Sequence, residues 1–276
     1  MAIAADTLER LAYAALAEDV GEGDVTTDAI VDADADGSAE LLVKEPGVVC
    51  GLGMVEAVFR ALDPGLVVEA LVEEGALVES RTPVARVSGS LRAILTGERT
   101  ALNFLGRLSG IATLARRYVD EVDGTGVAIL DTRKTTPGLR VLEKHAVAVG
   151  GGRNHRFALD DGVLIKDNHL RSAASIAEAL ERTRAATHLP VEVECDTLEQ
   201  VSEALAAGAD AILLDNMSTD DLSAAVSLAR GRARLEASGG VTLENARAIA
   251  ETGVDEISVG ALTHSARSLD VSLELT

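Results

Sequence analysis

Residues 191–215 read VEVECDTLEQVSEALAAGADAILLD, and this stretch determines the fold class that we predict. Two short apolar runs, 191–194 and 211–215, flank a segment with the periodicity of an amphipathic helix. A helix between two such strands is the βαβ unit, in which the strands lie parallel. The stretch therefore predicts a parallel sheet with helical crossovers.

The same alternation continues on both sides of this unit. Further apolar runs typical of strands occupy residues 127–131, 163–166, 234–238 and 256–260. Helical patterns occupy residues 171–187, 197–207, 218–230 and 242–252. Six such strands in roughly 150 residues favour a barrel or part-barrel over a short doubly wound sheet.

The residues ahead of the barrel have a mixed pattern. Helical periodicity covers 8–18 and 55–62, and a strong helical pattern begins near residue 91 and, as the same helix or a second one, reaches residue 122. Short strand-like runs lie between these helices, at 39–43, 66–72, 76–78 and 83–87. We therefore predict an N-terminal α/β domain at residues 1–110 and an α/β barrel domain, which carries the catalytic site, at residues 111–276.

The composition of the chain limits its partners. A formal net charge of −20 opposes binding to nucleic acid and to anionic membranes, so we expect neither as a partner. The sequence holds no apolar run that approaches the roughly 18 residues of a membrane span. Cys50 and Cys195 lack the spacing of metal ligands and are expected to be reduced thiols, which is typical of a cytoplasmic protein.

One segment reverses the acidic character of the chain. Residues 131–169 hold seven Arg and Lys against five Asp and Glu, and they include three of the four lysines and three of the five histidines. Clustered cations in an acidic protein indicate a focused anion site. A solvated basic face is the alternative, but these cations alternate with Gly, Asn and Thr and do not follow a helical spacing.

Ionisable residues end four successive predicted strands, and they are Asp131, Lys166, Glu194 and Asp215. In a parallel α/β barrel all the strand ends meet on one face, which carries the active site. At any single position, the favoured explanation is that a polar residue only marks where the strand leaves the core. Four in succession instead favour a shared active-site rim.

Glycine-rich turns follow the last two predicted strands. Gly239 and Gly240 follow Ser238, and Gly260 ends the next strand. Such turns let a phosphate approach the backbone N–H groups at a helix start, and His264 supplies a further donor. Two adjacent turns of this kind predict a phosphate site.

The ionisable residues of the rim fall into two groups. The cations suit a substrate with several carboxylates or a pyrophosphate, and they are Arg133, Lys134, His155, Arg156 and Lys166. The glycines at 150–152 predict a loop that folds over this ligand. Glu194 and Asp215 suit Mg²⁺, sugar hydroxyls or a cationic transition state. A structural ion pair with the neighbouring cations is the alternative for these two acids.

Several motifs of the chain match one enzyme family. They are GERTALN (97–103), DTRKTTPGLR (131–140), GGGRNHR (150–156), LIKDNH (164–169), VEVE (191–194), LLDN (213–216) and EASGG (236–240). On these motifs, which run nearly end to end, the chain resembles quinolinate phosphoribosyltransferase. The combination of TRKTTPG with GGGRNHR is highly specific.

The resemblance implies a reaction and a fold. Quinolinate would attack the anomeric carbon of phosphoribosyl pyrophosphate, pyrophosphate would leave, and the C2 carboxylate would be lost as CO₂. The product would be nicotinate mononucleotide, a precursor of NAD, so the implied enzyme is a carboxylating pentosyltransferase of de novo NAD biosynthesis. The implied fold is an open parallel α/β barrel with an N-terminal α/β sandwich domain.

The resemblance also implies roles for residues. Quinolinate would be bound by Arg133, His155, Arg156 and Lys166, with Arg99 donated by the neighbouring subunit of a homodimer or of a larger assembly of dimers. Phosphoribosyl pyrophosphate would be bound by Lys134, Glu194, Asp215, Ser238, Gly239, Gly240, Gly260 and His264. The same resemblance implies Mg²⁺ as cofactor, held directly or indirectly by Glu194 and Asp215. The residues expected to act in catalysis are Lys134, Lys166, Glu194 and Asp215.

Three alternatives stay open at the level of sequence. A molybdenum-uptake-associated paralogue shares the fold and many of the motifs, although the complete set of cations argues against it. A strand-end lysine in a barrel also suits an aldolase with Lys166 as Schiff-base nucleophile, but this leaves Arg133, Arg156 and the two acids without a purpose. A non-catalytic anion-binding module would bind quinolinate and release no pyrophosphate.

Overall fold

The computed structural model describes residues 3–276, whose helices and strands are numbered in chain order. The chain forms two compact units. The first comprises the described residues up to Arg116, together with Thr136–Gly151 and Ser265–Thr276, and the second comprises Arg117–Thr135 and Gly152–His264. Each of the two units combines separate segments of the chain, so neither is one continuous half of the sequence. The predicted domain boundary at residue 110 stays a prediction.

The first unit contains an antiparallel sheet. Within the described residues its strand order is β12 (Val271–Leu275), β1 (Asp36–Val43), β5 (Thr82–Ser90) and β3 (Val67–Ala70). A separate ribbon pairs β2 (Gly47–Val48) with β4 (Leu77–Val78). Alternate residues of β1 are buried, so one face of the sheet packs on the core of this unit.

The first unit also contains helices. They are α1 (Ala5–Val20), α2 (Val25–Ile30), α3 (Leu52–Leu62), α4 (Leu91–Glu121) and α5 (Arg140–Val149). The residues of α4 beyond Arg116 belong to the second unit. The strong pattern that begins near residue 91 thus forms one continuous helix of 31 residues. In α3, Met54, Val55, Val58 and Phe59 are buried at the i, i+3 and i+4 spacing of an amphipathic helix.

Gly150 ends α5 where this helix lies against α4. A Cβ atom at this position would meet the Cβ atom of Ala115 at 2.6 Å and the backbone oxygen of Ala112 more closely still. Only glycine fits such an approach without displacing a helix. The interpretation of the glycines at 150–152 as a loop over a ligand is therefore wrong for Gly150, which has a packing role.

The second unit contains a parallel sheet. Its strands are β6 (Ala128–Leu130), β7 (Val163–Ile165), β8 (Val191–Cys195), β9 (Ala211–Asp215), β10 (Arg234–Ser238) and β11 (Glu256–Ser258). Among residues 3–276 they pair in the order β6, β11, β10, β9, β8, β7, with every neighbouring pair parallel. This is the order of a barrel that is open between β6 and β7. The predicted fold class is confirmed, since a separate α/β unit accompanies this open barrel.

Helices connect the barrel strands. They are α6 (Asp167–Leu170), α7 (Ile176–Ala186), α8 (Leu198–Ala206), α9 (Thr219–Ala229), α10 (Leu243–Ala250) and α11 (Ala261–His264). The start of α8 illustrates the local cause. The backbone N–H of Gln200 donates to Thr197 Oγ1 at 3.3 Å, and the backbone N–H of Thr197 donates to Gln200 Oε1 at 3.2 Å. This capping box satisfies two N–H groups that a helix N-terminus otherwise leaves without acceptors.

No helix within residues 3–276 combines the length and the apolar character that crossing a bilayer requires.

Candidate active site

A cavity of about 440 Å³ lies in the second unit, at the carboxyl ends of the barrel strands. Its lining residues are Asp131, Thr132, Arg133, Lys134, His155, Arg156, Leu164, Lys166, Glu194, Leu213, Asp215, Glu236, Ser238 and Ser258. All six strands or the segments that follow them contribute to this lining. The strand ends therefore meet as the barrel topology requires.

The cavity brings together most of the residues predicted for the site. Eight of them line it, and they are Arg133, Lys134, His155, Arg156, Lys166, Glu194, Asp215 and Ser238. Four more lie in the same unit but outside the lining, and they are Gly239, Gly240, Gly260 and His264. Arg99 lies on α4 in the first unit, where it lines a different cavity of about 270 Å³.

Two guanidinium groups give the cavity its strongest anion-binding feature. Arg133 Nε is buried, and no hydrogen-bond acceptor for it exists within the described chain. Arg156 Nη1 donates to the backbone oxygen of Gly162 at 3.1 Å, which fixes one edge of its guanidinium. Burial and the charge of Arg133 both lower the pKa of Arg156. An anion placed between them relieves this repulsion and supplies acceptors.

Lys166 and Glu194 form an ion pair across neighbouring strands. Lys166 follows β7 and Glu194 lies in β8, and the two strands are directly paired. The Nζ atom of Lys166 lies 3.4 Å from Glu194 Oε2, and the lysine side chain is about half exposed. The ammonium therefore has one acidic neighbour and stays accessible to a ligand in the cavity.

Asn216 holds the carboxylate of Asp215. Its Nδ2 atom donates to Asp215 Oδ2 at 2.6 Å, and its backbone N–H donates to the oxygen of Ser238 at 2.8 Å. Asn216 has a left-handed backbone conformation with φ 54°. Gly239 packs against it so closely that a Cβ atom would lie 2.5 Å from Asn216 Cγ. The glycine turn after β10 thus supports an acidic residue of the cavity.

Gly260 packs beside two predicted site residues. A Cβ atom there would lie 3.1 Å from Lys134 Cδ and 3.2 Å from His264 Nε2. Thr263 Oγ1 donates to the backbone oxygen of Lys134 at 2.8 Å. The turn after β11 therefore places Lys134 and His264 next to each other, at the cavity that Lys134 lines.

His155 lies over two buried glutamates that the sequence did not identify as site residues. Its Nε2 atom donates to Glu192 Oε2 at 2.9 Å and lies 3.3 Å from Glu236 Oε2. Burial opposes the charged imidazole, but the attraction of the two carboxylates prevails and raises the pKa of His155 to about 10. Burial also raises the pKa of Glu236. The cationic cluster therefore rests on an acidic layer.

Asp131 anchors the segment that carries His155. Its Oδ1 atom accepts from the backbone N–H of His155 at 2.9 Å, and its Oδ2 atom accepts from Asn154 Nδ2 at 2.6 Å. Asp131 is fully buried. This strand-end acid therefore positions a neighbouring segment of the rim.

A signal for the missed glutamates exists in the sequence. Side chains alternate between the two faces of a strand, so in VEVEC the acids at 192 and 194 share one face while the three apolar residues share the other. Glu192 and Glu236 are almost fully buried. An acid in the middle of an otherwise apolar strand indicates a buried polar network, because an isolated buried carboxylate is too costly.

Comparison with known proteins identifies the family. The sequence model of one protein family, the quinolinate phosphoribosyl transferase C-terminal domain, matches residues 111–274. The sequence model of the corresponding N-terminal domain matches residues 24–109. The chain belongs to the quinolinate phosphoribosyl transferase family. The prediction of this family, and of an enzyme of the phosphoribosyltransferase class, is confirmed.

Relatives of the quinolinate phosphoribosyl transferase family cover nearly the whole chain. A probable nicotinate-nucleotide pyrophosphorylase (carboxylating) of Synechocystis is 46% identical over 265 residues, which cover 94% of this chain and 90% of that protein. The nicotinate-nucleotide pyrophosphorylase (carboxylating) of Mycobacterium leprae is 46% identical over 282 residues, which cover 99% and 97%.

A solved structure extends this likeness to the backbone. The nicotinate-nucleotide pyrophosphorylase of Francisella tularensis has a TM-score of 0.96 and 40% identity to this chain. The match covers 100% of this chain and 98% of that one. Membership of the quinolinate phosphoribosyl transferase family therefore agrees with the barrel topology, and it favours phosphoribosyl transfer over a Schiff-base role for Lys166.

Proposed function

We propose that this protein transfers the phosphoribosyl group of phosphoribosyl pyrophosphate to quinolinate and releases nicotinate mononucleotide, pyrophosphate and CO₂. Family membership and the relatives' activity support this function in NAD biosynthesis. The observation in the site that carries it is the buried Nε donor of Arg133, which has no acceptor within the described chain, on a residue that lines the same cavity as Arg156 and Lys166. A dicarboxylate supplies the acceptors and the negative charge that this cluster needs.

The quinolinate subsite consists of the cations of the cavity. Arg133 and Arg156 suit bidentate binding of carboxylates, because a guanidinium presents paired N–H donors. Lys166 adds a compact positive charge, and His155 adds a ring cation. We infer that the two carboxylates of quinolinate are shared among these four groups, which orients the ring nitrogen toward the second substrate.

The phosphoribosyl pyrophosphate subsite consists of the turns after the last strands. We infer that the 5′-phosphate binds to the backbone at Ser238, Gly239, Gly240 and Gly260, with His264 as an additional donor. Glycine supports this assignment, because it leaves the backbone N–H groups open to a phosphate. Lys134 packs against Gly260 and lines the cavity, so its ammonium suits the negative charge of the pyrophosphate.

Bond changes at the ribose explain the acidic residues. The ring nitrogen forms a bond to the anomeric carbon, and the bond to pyrophosphate breaks with its electron pair leaving on the pyrophosphate oxygen. Positive charge builds on the ribose during this step. Glu194 and Asp215 line the cavity as carboxylates, and we infer that they stabilise this charge and hold the ribose hydroxyls.

Decarboxylation follows from the charge that the first step creates. The bond between C2 and its carboxylate breaks, CO₂ leaves, and the electron pair stays on C2 beside the positively charged ring nitrogen. C2 then gains a proton to give nicotinate mononucleotide. The remaining carboxylate keeps its contacts with the arginine cluster.

Mg²⁺ fits the acidic side of the cavity as a cofactor. The oxygen atoms of Glu194 and Asp215 are the donor type that Mg²⁺ prefers, and a pyrophosphate substrate completes such a site. When bound there, Mg²⁺ would neutralise part of the negative charge of pyrophosphate. Both carboxylates lie on neighbouring strands, β8 and β9, which supports their joint use.

The assembly and the location of the protein are also proposals. Arg99 belongs to the first unit, and we infer that it serves the quinolinate subsite of a partner in a homodimer, or in an assembly of such dimers. We further infer a cytoplasmic enzyme, in line with two cysteines that are both unpaired and buried within the described chain.

Substrate choice tests the proposed function. Nicotinate lacks the C2 carboxylate and leaves part of the cation cluster without a partner, which typically costs about 2–5 kcal/mol. We expect kcat/KM for nicotinate to be at least about thirtyfold below that for quinolinate, measured with the same phosphoribosyl pyrophosphate and Mg²⁺. Comparable turnover of the two acids would indicate a nicotinate-specific enzyme instead.

A further inference from the structure

Three side chains at the floor of the cavity form a compact ionisable group in the second unit, and two of them, His155 and Glu236, line the cavity. His155 lies within contact distance of both Glu192 and Glu236, and each glutamate sits near the middle of its own strand, β8 or β10. The side chains are 16%, 6% and 1% exposed, in that order. None of the roles described above for substrates or Mg²⁺ uses the two glutamates.

We propose that Glu192 and Glu236 are positioning residues that hold the imidazole of His155 doubly protonated and in a fixed orientation at the floor of the quinolinate subsite. This inference deepens the proposed function and rests on it for the identity of the ligand. The glutamates act through His155: Glu192 does not line the cavity, and Glu236, which does line it, is 1% exposed and lies 3.3 Å from the imidazole.

His155 is the cation nearest to both carboxylates, and Glu236 also has the side chain of Ser258 as a hydrogen-bond neighbour. The His155 Nε2 atom donates to Glu192 Oε2 at 2.9 Å, while Glu236 Oε2 lies at an ion-pair distance of 3.3 Å and is a buried oxygen without a hydrogen bond within residues 3–276. Buried carboxylates persist only when a cation or hydrogen bonds compensate their loss of hydration. Glu192 Oε1 has no further hydrogen-bond partner within residues 3–276, so its compensation comes from the charge of His155 and from the nearby charge of Arg156.

Backbone anchoring completes the fixed orientation. The buried Asp131 accepts a hydrogen bond from the backbone N–H of His155, while Glu192 and Glu236 hold the ring. The residue is thus fixed at both its main chain and its side chain by three carboxylates from three strands or strand ends. A ring fixed in this way loses little entropy when an anion binds, which favours affinity.

The charges around His155 explain why buried glutamates lie beside a site for an acidic substrate. A histidine surrounded only by Arg133, Arg156 and Lys166 would lose its proton, since neighbouring positive charges disfavour the charged form. The two glutamates reverse this preference and keep a cation at the floor. Other charged groups also face this region from the surrounding elements, and they are Asp131, Lys134, Glu194 and Asp215.

The first test uses the free protein and needs neither substrate nor activity. Selective ¹⁵N labelling of histidine, with the His155 signals assigned through His155→Gln, reports the protonation of both ring nitrogens. We expect His155 to remain an imidazolium from pH 6 to pH 9 in the unaltered protein. In Glu192→Gln/Glu236→Gln, no carboxylate counteracts the effect of burial, which disfavours the charged imidazole. The His155 ring should therefore be neutral above about pH 6.5.

The second test separates positioning from general damage. The ratio of the KM for quinolinate in Glu192→Gln/Glu236→Gln to that in the unaltered protein should rise about tenfold from about pH 6.5 to about pH 8.5. This is the size expected for one lost charge-assisted hydrogen bond. The value of kcat should stay within about twofold. Glu256→Gln is the matched control, because Glu256 pairs with Arg234 in the same sheet and lies outside the cavity lining. Its pH profile should follow that of the unaltered protein.

Two further comparisons keep the proposal falsifiable if the double variant folds poorly. Each single variant should show part of the same pH-dependent rise in KM. In a His155→Gln background, the glutamate changes should add no further effect on the KM for quinolinate. A neutral His155 at pH 7 in the unaltered protein, or equal KM effects with and without His155, would overturn the proposal. The spectroscopic result stands even if quinolinate proves not to be the substrate.

Discussion

The Nζ atom of Lys166 lies 3.4 Å from Glu194 Oε2, so a residue of the proposed quinolinate subsite touches a residue of the proposed ribose subsite. The two subsites therefore meet at this ion pair. The lysine is about half exposed, so solvent screens the pair and the pair itself contributes little to stability. Changes at either residue are expected to act mainly on the reaction.

Glu194→Gln and Asp215→Asn should lower kcat and leave the KM for quinolinate nearly unchanged. The reason is that positive charge develops on the ribose only in the transition state, so a carboxylate contributes most at that point. We expect a loss of about a hundredfold in kcat, measured by steady-state kinetics. An equal rise in the KM for quinolinate with no loss in kcat would contradict this division of roles.

Arg133→Ala should chiefly weaken quinolinate binding. Its Nε atom is a buried donor whose acceptor we assign to the substrate, and loss of such a contact typically costs about 2–5 kcal/mol. Arg133→Lys should recover only part of the affinity, because a lysine keeps the charge but not the paired donors.

Titration calorimetry with quinolinate measures these affinities, and Arg156→Ala should behave like Arg133→Ala. Arg182→Ala removes an exposed ion pair on α7 and serves as the control. Unchanged affinity in both Arg133→Ala and Arg156→Ala would place the quinolinate subsite elsewhere.

Gly239→Ala should raise the KM for phosphoribosyl pyrophosphate and lower thermal stability. The new methyl group would lie 2.5 Å from Asn216 Cγ and would displace the side chain that holds Asp215. Gly240→Ala is the matched comparison, since Gly240 also has positive φ, at 60°, but open space around it. If the two variants have the same KM for phosphoribosyl pyrophosphate, the contact between residue 239 and Asn216 does not affect binding of this substrate.

Mixing two inactive variants tests the proposed role of Arg99. Arg99→Ala and Lys166→Ala each remove one part of the site, and subunit exchange yields mixed dimers. If Arg99 acts on the partner's site, a mixed dimer has one site with both defects and one with neither. Activity should then return to about a quarter of the level of the unaltered protein after random exchange. Absence of recovery after proven exchange would mean that Arg99 acts within its own chain.

Most of the barrel could be predicted from the sequence because its strands are short apolar runs that end in polar or glycine residues. Asp215 and Ser238, for example, end β9 and β10 as expected and lie side by side in the parallel register. The active-site face followed directly, since parallel strand ends must meet. Six of the eight predicted residues that line the cavity lie at or just after a strand end, whereas His155 and Arg156 lie between α5 and β7 and were predicted from the cationic segment and the family resemblance.

Other features depend on contacts that periodicity does not encode. Helix α5 lies within the cationic segment and was not predicted, because its buried Glu143 and Lys144 disguise its amphipathic pattern. Glu143 accepts hydrogen bonds from Thr136 and from Arg107, and a partner as distant in sequence as Arg107, 36 residues away, is invisible in a local window. Strand β12 pairs with β1, more than 200 residues away, and was missed for the same reason.

The fate of the C2 carboxylate tests the central claim most directly. Quinolinate carrying ¹⁴C in this carboxylate is incubated with the protein, phosphoribosyl pyrophosphate and Mg²⁺, and labelled CO₂ and nicotinate mononucleotide are measured together over time. We predict that the two products appear in equal amounts, with one pyrophosphate for each. Quinolinate binding without either product, under conditions where the protein is folded, would contradict the account and would identify an anion-binding protein or a paralogue with different chemistry.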